Sequence, residues 1–164
     1  MVEVVEVEPK WRGRLVRYAP LLFWIGIIFV LSSGQGAMSE TSRIIRPVLK
    51  FLFPGAPEYV IAQYHGYIRK FAHFAEYAVL AVFAAYAFGR SSISLMRVNW
   101  FACSMLLIVV TATMDEFNQS FNSKRTGSPW DVVIDISGGL TACVLIWLLR
   151  RSIRNDPETA ATVG

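Results

Sequence analysis

Hydrophobic positions along this chain fall in four blocks rather than in a repeating stripe. Residues 17–33, 70–89, 98–117 and 131–149 are almost continuously apolar. Each block comes close to the ~20 residues a helix needs to cross a hydrocarbon core of about 30 Å. Inside the blocks neither strict alternation nor a three-to-four stripe stands out, as expected of helices with lipid on most sides. The expected fold class is therefore all-α, an integral membrane bundle of about four transmembrane helices. The segment between the first two blocks, 34–69, is a long connection. Its middle, RIIRPVLKFLF, mixes Arg43, Arg46 and Lys50 with apolar neighbours, which suits a helix lying in the membrane interface. Pro47, Pro54 and Pro57 interrupt it. The second block is rich in alanine, and Gly138-Gly139 opens the fourth, so close helix–helix approach is expected at both.

Composition agrees with a membrane bundle: 54% of residues are hydrophobic and 17% charged, with a mean hydropathy of +0.44. The net charge of +4 does not point to nucleic acid, because Lys and Arg sit mainly beside the apolar blocks, where snorkelling and topology use them. Residues 1–16 read as a charged N-terminal segment, 17–150 as the membrane domain and 151–164 as a polar tail. Basic residues precede the first block as in a secretory signal, but no A-x-A pattern follows directly, so an uncleaved span is expected. Cys103 and Cys143 lie inside apolar blocks, where packing rather than a disulfide is expected. With four spans, the N-terminus, the 90–97 turn and the C-terminus share a side. They carry Lys10, Arg12, Arg14, Arg17, Arg90, Arg97, Arg150, Arg151 and Arg154, against seven Lys and Arg in the other two connections. That mild bias favours both termini in the cytoplasm.

Candidate chemistry changes the picture at one end of the bundle. The second block opens on Lys70, His73, Glu76 and Tyr77. The third ends on Asp115, Glu116 and Gln119, the following loop carries Lys124 and Arg125, and the fourth opens on Asp131 and Asp135. In an antiparallel bundle these ends meet at one face of the membrane, the outer one on this topology. Lys70, His73 and Tyr77 share a stripe, and Asp115/Gln119 and Asp131/Asp135 are each four apart, so each set can turn inward together. The adjacent Asp115 and Glu116 are not expected to face inward together, leaving one to water. Ionisable groups within a span cost about 2.5–3.5 kcal/mol on insertion scales, so they seek protein or water. The set is either a clamp of ion pairs and hydrogen bonds or a site for a polar ligand or catalysis. Arg125 either grips a phosphate or braces Asp131. His65, in the connection, reads as a surface residue.

Two stretches, KFAHFAEYAVL and DEFNQSFNSKRTGSPWDVVIDISGG, resemble the VanZ-like family of small bacterial membrane proteins. The family pattern is a Lys-x-x-His-x-x-x-Tyr run, then Asp-Glu-x-x-Gln, an Arg, an Asp and a Gly. Lys70, His73, Tyr77, Asp115, Glu116, Gln119, Arg125, Asp131 and Gly138 occupy those positions. Asp135 departs from it, standing where Asn is expected in many members. The resemblance implies a multi-pass protein of the bacterial cell membrane, and the family's founding member is associated with low-level resistance to the glycopeptide teicoplanin. Resistance is a phenotype rather than a reaction, and one fold hosts several roles.

Three functional readings are open. The first is an accessory protein whose outer site binds or modulates a cell-envelope lipid, such as a lipid-linked cell-wall precursor, through Lys70, His73, Tyr77, Asp115, Glu116, Gln119, Arg125, Asp131 and Asp135. The second is an enzyme acting on a lipid-linked phosphate or sugar. There His73, Glu76, Asp115, Glu116 and Asp131 are the acid–base candidates, and Asp115, Glu116 and Asp131 could offer oxygens to Mg²⁺. The third is a transporter with a Glu76–His73 proton relay. The sequence carries no Ser-His-Asp order, no phosphate-cradling glycine loop and no zinc spacing, so no cofactor or metal is expected from motifs alone.

Overall fold

A computed structural model describes residues 10–32, 38–121 and 128–155. The elements are α1 (Lys10–Ser32), α2 (Met38–Leu52), α3 (Glu58–Gly89), α4 (Ser94–Val98), α5 (Trp100–Ser120) and α6 (Pro129–Asn155). Among the described residues there is no strand, and α1, α3, α5 and α6 are each long and apolar enough to cross a membrane. The chain is thus a multi-pass helical membrane protein. Its outward residues fit lipid: Leu22, Phe23, Leu106, Met114 and Leu145 are all exposed. In water such a surface would be an aggregation liability; in a bilayer it is the solvated face.

The helices extend beyond the apolar blocks. The second span starts at Glu58, not at residue 70, and α3 runs for 32 residues. Pro57 occupies its N-cap, no proline follows inside it, and the polar stretch 63–70 continues the helix. A polar helix extending past the apolar core looks like a loop to hydropathy alone. Likewise α6 continues through Arg150, Arg151 and Arg154 to Asn155, and α1 begins at Lys10. The interfacial segment is a helix, α2, broken after Leu52 near Pro54 and Pro57; Pro47 lies within it.

Helix α3 is the central element, packing on α1, α2, α5 and α6. Its alanines Ala81, Ala84, Ala85 and Ala87 are buried, and small side chains there let neighbouring backbones come close. The closest approach is at Gly138. A Cβ there would lie 2.9 Å from the Phe74 carbonyl carbon and 3.0 Å from its Cα. One residue on, a Cβ at Gly139 would meet Ile108 Cδ1 and Cγ2 at 2.8 Å, so the glycine pair seats α6 against α3 and α5 at once. Contacts fix the directions. His73 meets Asp135, Gly138 meets Phe74 and Arg150 Nη2 donates to the Ala85 carbonyl at 3.2 Å, so α3 and α6 run parallel. Ser128 lies at Glu116 and Arg150 stacks over the Trp100 ring at 4.3 Å, so α5 and α6 are antiparallel. Helix α1 is held by Trp24 Nε1, which donates to the Glu76 carbonyl at 3.0 Å, and by Tyr18, whose hydroxyl donates to Ser91 Oγ at 2.9 Å.

Helix α2 folds back on the start of α3. Arg46 and Lys50 both pair with Glu58, Phe53 stacks on Tyr64 with centroids 5.6 Å apart, and Leu49 is buried. Its Ile44, Val48 and Phe51 are exposed, the apolar face that interfacial docking requires. Both cysteines are free.

Candidate functional site

The polar residues gather where the start of α6 and the end of α5 flank α3. Folding places His73, Tyr77, Asp115, Glu116, Gln119 and Asp135 among the buried residues. Each comes from a helical position that turns inward: His73 and Tyr77 are four apart on α3, and Asp115 and Gln119 four apart on α5. Asp135 is 0% exposed and its Oδ1 lies 3.3 Å from His73 Nδ1. The two atoms are within ion-pair distance, but not in hydrogen-bond geometry. Gln119 Nε2 donates to Asp115 Oδ2 at 3.0 Å. One donor atom from each of His73, Asp115 and Asp135 lies within 4.8 Å of the other two. The wholly buried Tyr77 hydroxyl stands within electrostatic reach of Asp115, Asp135 and Glu76.

Asp115 and Glu116 are both buried, contrary to the expectation that one of them would meet water. Asp115 turns to Gln119, whereas Glu116 turns sideways and its Oε1 accepts the Ser128 N–H at the entry to α6. That bond satisfies a backbone donor just ahead of a helix start, where negative charge is also favoured by the helix dipole. Glu116 thereby ties two helix ends together, a clamp, while Asp115 joins the His73–Asp135 group. Asp131 is half-buried in the first turn of α6.

A cavity of about 150 Å³ opens beside this group, lined by Ile28, Leu31, Ser32, Ile45, Ile68, Arg69, Ala72, His73, Glu76 and Asp115. Its walls come from α1, α2 and α3, with Asp115 reaching in from α5, and its polar end is Arg69, His73, Glu76 and Asp115. Lys70 does not line it. Lys70 is exposed, one turn before His73, where a long stem keeps its ammonium in water. The cation at the cavity is Arg69, which sequence reading passed over. The signal was available, since Arg69 stands four residues before His73 and seven before Glu76, on their face of the helix. Ser32 and Ile45 also went unnoticed, because nothing in the sequence says which face of α1 or α2 meets α3. Lys124 and Arg125 lie outside the described residues. His65, expected at the surface, is buried under α2, with Nδ1 3.3 Å from Ser42 Oγ.

Chemically, the group can accept hydrogen bonds, move a proton between His73 and a carboxylate, or hold a cation. No curated protein and no solved structure matches the chain. The VanZ/LLP1 profile matches residues 18–150, a stretch that runs from Tyr18 in α1 to Arg150 in α6 and takes in every residue of the buried polar group. With four membrane-length helices and that match over most of its length, the chain belongs to the VanZ/LLP1 family.

Proposed function

We propose that this VanZ-family protein binds the headgroup region of a cell-envelope lipid at the outer face of the bacterial cell membrane, with both termini cytoplasmic. The observation that carries the reading is the two-sided cavity. Ile28, Leu31, Ile45, Ile68 and Ala72 offer an apolar wall, while Arg69, His73, Glu76 and Asp115 offer a polar end. An amphiphile has the same two parts. A cavity near 150 Å³ matches the size that admits one benzene-like group, so it takes the junction of a lipid and leaves the remaining chain along the exposed apolar helix faces. Arg69 gives the anionic part a donor fork suited to phosphate. A lipid-linked cell-wall precursor belongs to this chemical class. Altered sensitivity to a lipid-anchored glycopeptide such as teicoplanin is the phenotype this reading anticipates.

Native mass spectrometry of the protein released from its own membranes tests this. The wild type should retain an anionic lipid that Arg69→Ala and the cavity-filling Ala72→Trp both lose, while Arg154→Ala keeps it. Equal retention by all three variants, or no retained lipid in the wild type, overturns the reading. A second reading, an enzyme acting on a lipid-linked phosphate or sugar, draws support from the buried His73–Asp135 pair beside Asp115, an arrangement suited to general acid–base work. Turnover of the retained lipid, abolished by Asp115→Asn, separates it from binding alone.

A further inference from the structure

His73, Asp115 and Asp135 raise a question that lipid binding does not answer. Asp135 is 0% and Asp115 2% exposed, and among the described residues no Lys or Arg pairs with either. By hydrogen-bond geometry neither oxygen of Asp135 has a donor there, nor has Asp115 Oδ1, although His73 Nδ1 and the buried Tyr77 hydroxyl stand close by. Two carboxylates so deeply buried are costly in their charged form unless a positive charge sits between them. His73 alone supplies at most one such charge, and its Nδ1 faces Asp135 without hydrogen-bond geometry.

The spacing accounts for that geometry differently. Nitrogen and oxygen donors bind a zinc-sized ion at about 2.0–2.2 Å. Two donors on one such ion are then about 3.4 Å apart in a tetrahedron and about 3.0 Å apart at adjacent octahedral positions. His73 Nδ1 and Asp135 Oδ1 are 3.3 Å apart. Donor atoms of His73, Asp115 and Asp135 all lie within 4.8 Å of one another, a limit slightly wider than the roughly 4.2 Å between opposite corners of an octahedron of that bond length. We propose that His73, Asp115 and Asp135 form a binding site for a single divalent transition-metal ion of the Mn²⁺ or Zn²⁺ class.

The donor set selects the class. One imidazole with two carboxylates favours Zn²⁺ or Mn²⁺, and the lack of a thiolate argues against soft ions. Two carboxylates and a neutral imidazole balance a doubly charged ion, which suits a low-dielectric setting. Gln119 acts as a positioning residue: its Nε2 fixes Asp115 through Oδ2 and leaves Oδ1 as the free donor atom. Such outer partners orient metal ligands and tune affinity. Gln119 Oε1, itself wholly buried, has no partner and offers a further oxygen. His73 and Asp115 line the cavity, so remaining coordination positions open toward it. The inference concerns the ion alone and does not rest on the lipid reading.

The test uses the full chain in detergent, stripped with a chelator and re-equilibrated with Zn²⁺ or Mn²⁺ alone. Metal analysis after desalting should give one ion per wild-type chain, and Asp135→Asn should weaken retention by about tenfold or more. Glu58→Gln, an exposed carboxylate on α2's side of α3, should retain the ion. X-ray absorption at the zinc edge of the loaded wild type should show nitrogen and oxygen neighbours only, a measurement that needs no variant to fold. No retained ion, equal retention by a monodisperse Asp135→Asn protein, or a sulfur shell would each overturn the site. The assay contains no lipid, so its failure leaves the lipid reading standing, and loss of lipid binding leaves the metal result standing.

Discussion

Replacing Gly138 by alanine isolates the contact that seats α6 on α3. The backbone at Gly138 has no positive φ, so alanine is conformationally acceptable there and in a free helix would be favoured by about 0.8–1 kcal/mol. Sterics reverse the sign. The new Cβ would lie 2.9 Å from the Phe74 carbonyl carbon and 3.0 Å from its Cα, both backbone atoms of a rigid helix. Relief requires α6 to move off α3 by several tenths of an ångström or more, and that movement also parts Asp135 from His73. Overpacking of this kind costs typically ~1–3 kcal/mol, and a backbone partner places the cost toward the upper end. Gly139→Ala is the internal control. It meets Ile108 Cδ1 and Cγ2 at 2.8 Å, side-chain atoms that can rotate aside. At about 2–4 °C per kcal/mol for a chain of this size, Gly138→Ala should lower the apparent Tm in detergent by about 5–10 °C. Gly139→Ala should lower it by clearly less. The assay is a heating series read by size-exclusion chromatography. A Gly138→Ala protein melting with or above the wild type, or no lower than Gly139→Ala, would refute the packing argument.

Two further outcomes are expected. Trp24→Phe removes the donor to the Glu76 carbonyl while keeping most of the ring, so stability should fall by about 1 kcal/mol, measured by the same melt; a loss no larger than that of an exposed control such as Phe23→Leu would count against the bond. Reporter fusions after Asn155 and within 122–127 should report opposite sides of the membrane, the first cytoplasmic; a cytoplasmic signal from the 122–127 site would place the polar end inside.

Four apolar blocks were enough to read an all-α membrane bundle, because hydrocarbon demands long apolar helices and little else meets that demand. The meeting of α3, α5 and α6 at His73, Asp115 and Asp135 was legible for a related reason: charged residues inside a span must face protein or water. Helix boundaries were less legible. Residues 58–69 continue α3 through Tyr64, His65 and Arg69, where polarity reflects a helix leaving hydrocarbon rather than a change of backbone. The choice between Lys70 and Arg69 was also hidden. It depends on where α1 and α2 pack, and their faces carry no mark of their neighbours. His73, Asp115 and Asp135 were expected in one ligand site, but the sequence offered Asp115, Glu116 and Asp131 as oxygens for a metal, because spacing along each helix does not say which carboxylates from different helices come within 4.8 Å of an imidazole.

The length of α3 carries a mechanical consequence. At 1.5 Å per residue its 32 residues reach about 48 Å, against about 32 Å for the 21 of α5. A hydrocarbon slab of about 30 Å matches α5 and the apolar 70–89 part of α3, so the polar start of α3 protrudes from it. Because α2 is fastened to the first turn of α3 through Glu58, it travels with the protruding end. Thickening the bilayer draws that end toward the lipid, and thinning lifts it clear, while the short α5 holds Asp115 and Gln119 near one depth. The protein is therefore built of two rulers of unequal length, and the wall that Ile45 of α2 contributes to the cavity rides on the longer one.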